Sequence, residues 1–317
     1  MQINMFTKFS LTLQGSIQAW SVFLALFLSF NVYATANNVF VSTEWLKQNQ
    51  DKVTLIDMSQ QAQYQKFHIE GALWMNYHWL IKPQNGLALS GGSEYITKIL
   101  SQFGIKPDTH IVIYDDMGGL DASRLYWELN KLQHAKVNIL DGGLVNWVLA
   151  GHKVTQATAK RPIKSNYPLP KHTLTDTLTA NKAEVIAAIE DINTILLDTR
   201  SKEEYQGLPK EKRSGHIPSA IWFEWSNAFN MRNGFKQHNS AELTDYLATL
   251  GLQDKQQPII LYCNTAHRAA RSFTMLKSLG YTDIKLYDGS MQEYEIDKTL
   301  PLQKLSSVNS ATPLKES

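Results

Sequence analysis

The chain has 317 residues, which is enough for two domains of ordinary size. Its hydrophobic content of 43% and charged content of 19% are typical of a globular protein with hydrophobic cores. The net charge is only +2 and no long run of Lys or Arg occurs, which argues against a nucleic-acid-binding surface.

The N-terminal segment has the pattern of a secretory signal. Lys8 is the only charged residue before Glu44, and the apolar run Trp20–Phe30 is followed by the small-x-small sequence Ala34–Ala36. We therefore expect residues 1–36 to be cleaved and the mature protein to be periplasmic or secreted, without membrane contact. A retained anchor is the alternative, but the run is short for a span of about 20 residues.

The remainder of the chain contains one internal repeat. Its matching segments are Thr54–Asp57 with Ile195–Asp198, Phe67–Trp74 with Gly215–Trp222, Ile111–Asp115 with Ile259–Cys263, and Val137–Gly143 with Ile284–Ser290. His68 and His216 stand 148 positions apart, and so do Asp115 and Cys263. Two unrelated pairs with one offset indicate a tandem duplication.

Each repeat alternates short apolar runs with amphipathic stretches such as Glu94–Phe103 and Asp121–Leu132. Short apolar runs flanked by helices predict parallel strands that are covered on both faces. The expected fold class is α/β, with two tandem domains that each hold a small parallel sheet covered by helices on both faces.

The domain boundaries follow from composition. We expect a first domain over 37–154, a linker over 155–175 that is rich in Pro, Lys and Thr, and a second domain over 176–303. The polar tail 304–317 is expected to be disordered.

Cys263 is the only cysteine, so an intrachain disulfide is impossible. It ends the apolar run Ile259–Tyr262 and precedes a predicted helix from Ala269 to Leu279. Ligands bind at this edge of open α/β sheets. A thiolate or a persulfide anion is favoured at this position by helix N–H groups, by the helix dipole, by a curled loop, and by the side chains of His267 and Arg268. An inert buried thiol is the alternative.

The tandem repeat, the motif His216–Ala220, the Asp-Gly turns and the cysteine loop together resemble two-domain rhodaneses over about Val39 to Leu302. This resemblance implies a catalytically inactive first domain, where Asp115 stands in place of the cysteine, and an active site between the domains. The loop Cys263–Arg268 is similar to the Cys-x-Thr-x-His-Arg variant of bacterial members associated with thiosulfate. It differs from the common loops Cys-Arg-Lys-Gly-Val-Thr and Cys-Gly-Ser-Gly-Val-Thr.

The expected activity is transfer of a sulfane sulfur from thiosulfate, through a Cys263 persulfide, to cyanide or a thiol, without a cofactor. Substrate contacts are expected from Arg200, which matches the family's Asp-x-Arg, and from the loop residues Asn264, Thr265, Ala266, His267 and Arg268. The alternatives are a 3-mercaptopyruvate sulfurtransferase and a non-enzymatic persulfide carrier that binds a protein partner. A phosphatase of this fold needs Cys-x5-Arg, whereas Ala269 occupies that position here.

Several other residues are expected to be structural. They are Asp57, Asp198, His68 and His216, with turns at Asp141–Gly143 and Asp288–Ser290, the second turn bordering the pocket mouth. The aromatic residues Trp222, Phe223 and Trp225 are expected in the core or along the pocket. No metal-binding motif is present, and we expect a monomer.

Overall fold

The computed structural model describes residues 38–170 and 176–305. The first domain contains β1 (Phe40–Val41), α1 (Thr43–Asn49), β2 (Thr54–Asp57), α2 (Gln61–Lys66), β3 (Leu73–Trp74), β4 (Ile81–Gln84), β5 (Leu87–Ser90), α3 (Ser93–Gln102), β6 (Ile111–Tyr114), α4 (Leu120–Lys131), β7 (Val137–Leu140) and α5 (Gly143–Leu149). The second contains β8 (Thr179–Ala180), α6 (Lys182–Ala188), β9 (Ile195–Asp198), α7 (Lys202–Gln206), β10 (Ile221–Trp222), β11 (Phe229–Asn230), β12 (Lys236–Gln237), α8 (Ser240–Thr249), β13 (Ile259–Tyr262), α9 (His267–Ser278), β14 (Ile284–Tyr287) and α10 (Ser290–Tyr294).

Each domain is built on a parallel five-stranded sheet with the same strand order. The first sheet runs β1-β7-β6-β2-β3, and the second runs β8-β14-β13-β9-β10. The central strands β6 and β13 are four-residue apolar runs buried along their whole length, as expected for strands with helices over both faces. A two-stranded antiparallel hairpin, β4–β5 or β11–β12, supplements each sheet. The predicted fold class is confirmed.

The hydrophobic core of each domain is divided between the two faces of its sheet. In the first domain, Ile113 faces one layer and Val112 faces the other. In the second domain, Leu261 and Ile260 alternate in the same way. Successive side chains of a strand point to opposite faces, so each short strand serves both core layers.

The two domains pack through α4 and α9, which are equivalent helices of the repeat. Ser123 Oγ on α4 lies 3.0 Å from Thr274 Oγ1 on α9. Trp127 of α4 is buried within the core of the second domain and donates its indole N–H to the Leu178 carbonyl at 3.1 Å. The first domain therefore contributes a large side chain to the core of the second.

Two buried arginines cross this interface in opposite directions. Arg124 on α4 donates from Nη2 to Asp288 Oδ1 of the second domain at 2.6 Å. Its counterpart 147 positions later, Arg271 on α9, donates from Nε to the Gly118 carbonyl of the first domain at 2.7 Å. Both guanidinium groups are almost fully buried, so each depends on the opposite domain for its hydrogen bonds.

Two carboxylates also form reciprocal contacts between the domains. Asp288 accepts the backbone N–H of Ser90 at 2.7 Å, and Asp141 accepts the backbone N–H of Gln237 at 2.8 Å. These two contacts are also related by 147 positions, so the domains are arranged about a local two-fold axis.

The segment predicted as a linker packs partly on the first domain. Thr155 forms an isolated β-bridge with His68, Ser165 donates its backbone N–H to the Ser101 carbonyl at 2.9 Å, and Tyr167 is buried in the first core. Residues 171–175 of that segment lie outside the described ranges, as do the predicted signal segment 1–36 and the tail beyond Leu305. Within residues 38–170 and 176–305, no helix is long and apolar enough to cross a membrane.

Candidate active site

Cys263 lies at the carboxyl end of β13, immediately before the loop that leads into α9. Its thiol is free and its side chain is only 1% exposed. Helix α9 begins at His267, two residues before the predicted start, because Ala266 adopts a left-handed conformation (φ 59°) and serves as the N-cap. This turn curls the loop tightly around the sulfur.

The floor of the loop is fixed by Ser290, the first residue of α10. Its hydroxyl accepts the backbone N–H groups of Cys263 at 3.3 Å and Ala266 at 3.0 Å, and donates to the Tyr287 carbonyl at 2.8 Å. Because Ser290 is fully buried, these bonds are shielded from water and hold both ends of the loop to β14.

The loop leads directly into the N-terminus of α9, whose first N–H groups have no acceptor within the helix. The first backbone hydrogen bond of α9 runs from Ala270 to the Ala266 carbonyl, so His267, Arg268 and Ala269 have no intrahelical acceptor. Such free N–H groups at a helix N-terminus favour an anion.

The first domain shows what such a loop holds. Asp115 occupies the position of the cysteine, and its buried carboxylate accepts four backbone N–H groups. Oδ1 accepts those of Met117 at 2.9 Å and Gly119 at 2.8 Å, and Oδ2 accepts those of Asp121 at 2.8 Å and Ala122 at 2.9 Å. The loop therefore binds an anion supplied by its own chain.

Burial and backbone hydrogen bonding have opposite effects on the pKa of Asp115. Burial, followed by the charge of Asp121, raises the pKa of Asp115 to about 6, although the backbone N–H groups favour the carboxylate. The donors to Oδ2 are the second and third residues of α4. Their equivalents on α9, 147 positions later, are Arg268 and Ala269, whose N–H groups are free.

The loops after β6 and β13 differ in length and in the residue that lies beneath them. Three residues separate Asp115 from the N-cap Gly119, whereas two separate Cys263 from the N-cap Ala266. Gly143 of the first domain corresponds to Ser290 and has no hydroxyl to bind loop N–H groups. The Gly119 N–H, which corresponds to the one engaged by Ser290, is therefore free to bind Asp115.

Glu204 of α7 holds the outer wall of the cysteine loop. It receives Arg268 Nη1 at 2.7 Å and Nη2 at 3.0 Å in a bidentate pair, and Asn264 Nδ2 at 2.7 Å. Burial opposes the charge of Glu204, but hydrogen bonds from Arg268 and from the Ser201 backbone N–H, with the positive charge of Arg268, outweigh it and lower its pKa to about 2. The pair fixes the direction of both loop side chains.

His267 turns toward the first domain. Its Nε2 lies 2.5 Å from Asp121 Oδ1, and its ring packs on Tyr77 with centroids 4.2 Å apart. These three residues border a hollow of about 190 Å³ whose remaining walls are Met58–Gln61, Trp74, Asn76 and His78 of the first domain. The hollow is thus bounded by both domains.

The structure gives Arg200 a partner within its own domain. Its guanidinium donates to the Asp198 carboxylate from Nε and from Nη2, with Nη2 2.6 Å from Oδ2, and also donates to the Gly215 carbonyl at 2.8 Å. Only 4% of Arg200 is exposed. The structure shows a buried ion pair at the carboxyl end of β9, and contact of Arg200 with a donor stays a prediction.

The remaining predicted residues are distributed around the site. Thr265 is half-buried on the outer side of the loop. Trp222 is buried and donates its indole N–H to the Arg200 carbonyl at 3.0 Å, and Phe223 is in the core. His68 and His216 stack on Tyr64 and Tyr205, a structural arrangement that repeats in both domains.

Three residues that organise the loop were not predicted from the sequence: Ser290, Glu204 and Asp121. The sequence pattern assigns Ser290 only to a turn, although the presence of Gly143 at the equivalent position of the first repeat is a usable signal. Glu204 completes a capping box with Ser201, which places it on α7 but does not reveal that it faces the loop. Asp121 contacts the cysteine loop only because the two domains pack against each other.

No group of three or more His, Cys, Asp or Glu side chains that could hold a metal ion occurs within the described ranges.

The chain belongs to the rhodanese family. The model of the rhodanese-like domain matches it twice, over residues 42–150 and 181–297. The chain is 32% identical over 272 residues to a putative thiosulfate sulfurtransferase of Mycobacterium leprae (strain TN), covering 81% of this chain and 95% of the relative. It is 27% identical over 256 residues to the thiosulfate sulfurtransferase of Pseudomonas aeruginosa, covering 80% and 91%.

Solved structures share the fold. The crystal structure of YnjE superimposes with a TM-score of 0.75 at 20% identity, over 84% of this chain and 68% of YnjE. The wild-type structure of EanB superimposes with a TM-score of 0.73 at 22% identity, over 84% of this chain and 69% of EanB. The resemblance predicted from the sequence is confirmed at the level of family and fold.

Proposed function

We infer that the protein is a thiosulfate sulfurtransferase that carries the transferred sulfur on Cys263. The observation that carries this inference is the pair of equivalent loops: one holds the Asp115 carboxylate with four N–H groups, and the other surrounds a thiol with free N–H groups. A loop that binds a carboxylate in one domain is suited to a thiolate or a persulfide anion in the other.

The reaction needs two displacements at sulfur. The Cys263 thiolate attacks the outer sulfur of thiosulfate, a new S–S bond forms, and the bond to the sulfite portion breaks with its electron pair leaving as sulfite. The product is the Cys263 persulfide anion. An acceptor, cyanide or a thiolate, then attacks the outer sulfur, and the electron pair of the S–S bond returns to Cys263 as thiolate.

The loop side chains support an anionic donor of small size. Cys263 is almost inaccessible, so the donor must present a narrow, unbranched sulfur to it. Arg268 lies at the loop's outer wall and provides a cation that is held in place by Glu204. Thiosulfate combines a terminal sulfur with two negative charges, and both properties fit this loop. Sequence similarity to proteins named thiosulfate sulfurtransferases supports the same choice.

The direct test is the mass of the protein. Incubation with thiosulfate should add one sulfur atom to the wild type, and cyanide should remove it with formation of thiocyanate. Cys263→Ser should gain no mass, whereas Asp115→Asn, a control in the inactive domain, should gain the same mass as the wild type. Persistence of thiosulfate turnover in Cys263→Ser would show that the nucleophile is elsewhere.

We also propose that the mature protein is exported, because of the apolar run and the small-residue pattern in the first 36 residues. N-terminal sequencing of the protein from cells should find Asn37 at the start. An intact N-terminus in the membrane fraction would identify an anchor instead. Size-exclusion chromatography of the same material tests the expected monomer.

A further inference from the structure

The cysteine loop is held from three directions. Ser290 holds it from below, and Glu204 holds Asn264 and Arg268 from within the second domain. The third contact comes from the first domain, where Asp121 holds the side chain of His267. A side chain of the first domain therefore contacts the cysteine loop of the second domain directly.

The contact between His267 and Asp121 is short and partly shielded. His267 Nε2 lies 2.5 Å from Asp121 Oδ1, and the side chains are 26% and 12% exposed. A hydrogen bond to an ionised carboxylate is stronger than one between neutral groups, and partial burial strengthens it further. Because the imidazole nitrogen donates, the proton of a neutral His267 is placed on Nε2.

Tyr77 packs against the imidazole of His267 and restricts the rotation of that ring. The two ring planes are inclined by 32° at a centroid distance of 4.2 Å. Burial raises the pKa of Tyr77 far above its usual range, and the charge of Cys263 acts in the same direction, so the phenol stays neutral beside the site. A neutral ring leaves Asp121 as the charged partner of the imidazole.

His267 is the first residue of α9 and directly precedes Arg268 and Ala269, whose free N–H groups correspond to the two that bind Asp115 Oδ2 in the first domain. A side chain anchored at this position also fixes the backbone at the end of the loop. Loss of the anchor would let the N–H groups of Arg268 and Ala269 turn away from the anion position. N–H groups stabilise developing charge only when they are oriented before the reaction.

We propose that Asp121 is a positioning residue for sulfur transfer, which acts through His267 to keep the end of the cysteine loop aligned with the donor. The proposal rests on the proposed function and adds a role for the inactive domain in it. Among the described residues Asp121 makes no hydrogen bond to Cys263, and its effect on the loop would pass through the imidazole.

A double-mutant cycle tests this route. Asp121→Asn keeps the shape of the side chain and removes its charge, and it should lower kcat/KM for thiosulfate about tenfold. His267→Gln should lower it by a similar factor. In the His267→Gln background, Asp121→Asn should then cost less than twofold, because no imidazole is left to position.

A control substitution is available in the first domain, in the loop that precedes α4. Asp116 is half-buried, and among the described residues its carboxylate makes no hydrogen bond to the second domain. Asp116→Asn removes one carboxylate charge from the loop just before α4, close in sequence to Asp121, and should change kcat/KM less than twofold. A loss equal to that of Asp121→Asn would mean that negative charge in this region matters and not the contact with His267.

Nitrogen NMR of the imidazole gives a readout that does not depend on turnover. The wild type should show His267 protonated at Nε2, and the neutral imidazole of Asp121→Asn should show a mixture of its two tautomers. The proposal is overturned if Nε2 is unprotonated in the wild type, if Asp121→Asn retains kcat/KM within twofold, or if it costs another tenfold in His267→Gln. A wild type that takes up no sulfur would refute the proposed function and leave the NMR result valid.

Discussion

The pair formed by Arg124 and Asp288 allows a quantitative test of how the two domains are joined. Asp288→Ala removes the acceptor that lies 2.6 Å from Arg124 Nη2. The guanidinium is fully buried, and its Nη1 has no hydrogen-bond partner in the described part of the chain. Its other carboxylate, Glu128, lies 3.6 Å from Nε, beyond hydrogen-bond distance. The substitution should leave a poorly compensated charge inside the protein.

The expected cost has two parts. Breaking a buried ion pair by removing one partner costs about 3–5 kcal/mol. Asp288 also accepts the Ser90 N–H, and a buried donor left without an acceptor costs about 1–3 kcal/mol. We expect the lower end of the first range, about 3 kcal/mol, because Glu128 still faces Arg124.

The local two-fold axis provides the control. Asp141 accepts the Gln237 N–H as Asp288 accepts that of Ser90. Arg271 is bound instead to the Gly118 carbonyl and to Gln237 Oε1, so Asp141→Ala breaks no arginine hydrogen bond. Asp141→Ala should cost the unpaired N–H and a longer-range attraction between Asp141 and Arg271, but no hydrogen-bonded ion pair, so Asp288→Ala should be the more destabilising variant by about 3 kcal/mol.

Urea unfolding followed by tryptophan fluorescence measures this difference, and thermal unfolding should show Asp288→Ala melting about 6–12 °C below Asp141→Ala. Asp288→Asn, which keeps an acceptor but not the charge, should lie between them. Equal losses for Asp288→Ala and Asp141→Ala would refute the reasoning, since they would show that the Arg124 pair contributes nothing beyond the backbone contact.

Three further outcomes follow from the loop. Arg268→Ala should lower kcat/KM for thiosulfate about ten- to a hundredfold and for mercaptopyruvate less, because only thiosulfate is a dianion; steady-state kinetics with both donors checks this, and an unchanged thiosulfate value contradicts it. Ser290→Ala should cost about 1–3 kcal/mol in urea unfolding by leaving the N–H groups of Cys263 and Ala266 unpaired, whereas a neutral result would mean that the hydroxyl holds nothing. The folded pKa of Glu204, about 2, lies below the ordinary value of an unfolded glutamate, so its contribution is present above pH 4.5 and lost as the pH falls toward 2. Glu204→Gln should remove about 1–2 kcal/mol of that pH-dependent stability after solvent screening, and identical acid-unfolding curves would contradict the assignment.

The fold could be predicted from the sequence because the strands and helices of each repeat are indicated by short-range patterns of apolar residues. The apolar runs Ile111–Tyr114 and Ile259–Tyr262 became β6 and β13 with the predicted bounds. The helices predicted over Glu94–Phe103 and Asp121–Leu132 begin and end one residue earlier in the structure. Strand burial and helix periodicity are local properties, so these elements could be predicted without knowledge of the tertiary contacts.

The site was only partly predictable, because its supporting contacts join distant parts of the chain. The offset of 148 aligned Asp115 with Cys263, but the helices that follow are related by 147, since the first loop has one more residue. The pairing of Val137–Gly143 with Ile284–Ser290, which are 147 positions apart, records this difference in length, but it does not reveal which N–H groups bind the anion. The contacts of Glu204 with Arg268 and of Asp121 with His267 span 64 and 146 positions, which no local pattern encodes.

The longer loop of the first domain, with its own carboxylate bound inside, limits what a single substitution could do there. It differs from the second loop at three linked positions: Asp115 stands where the second domain has its cysteine, one more residue precedes the N-cap Gly119, and Gly143 stands where the second domain has Ser290. Replacing Asp115 with cysteine alone would place a sulfur in a longer loop with no hydroxyl beneath it. A second sulfur centre would therefore need all three changes together, whereas the first domain already contributes the side chains of Trp127, Arg124 and Asp121 to contacts with its partner.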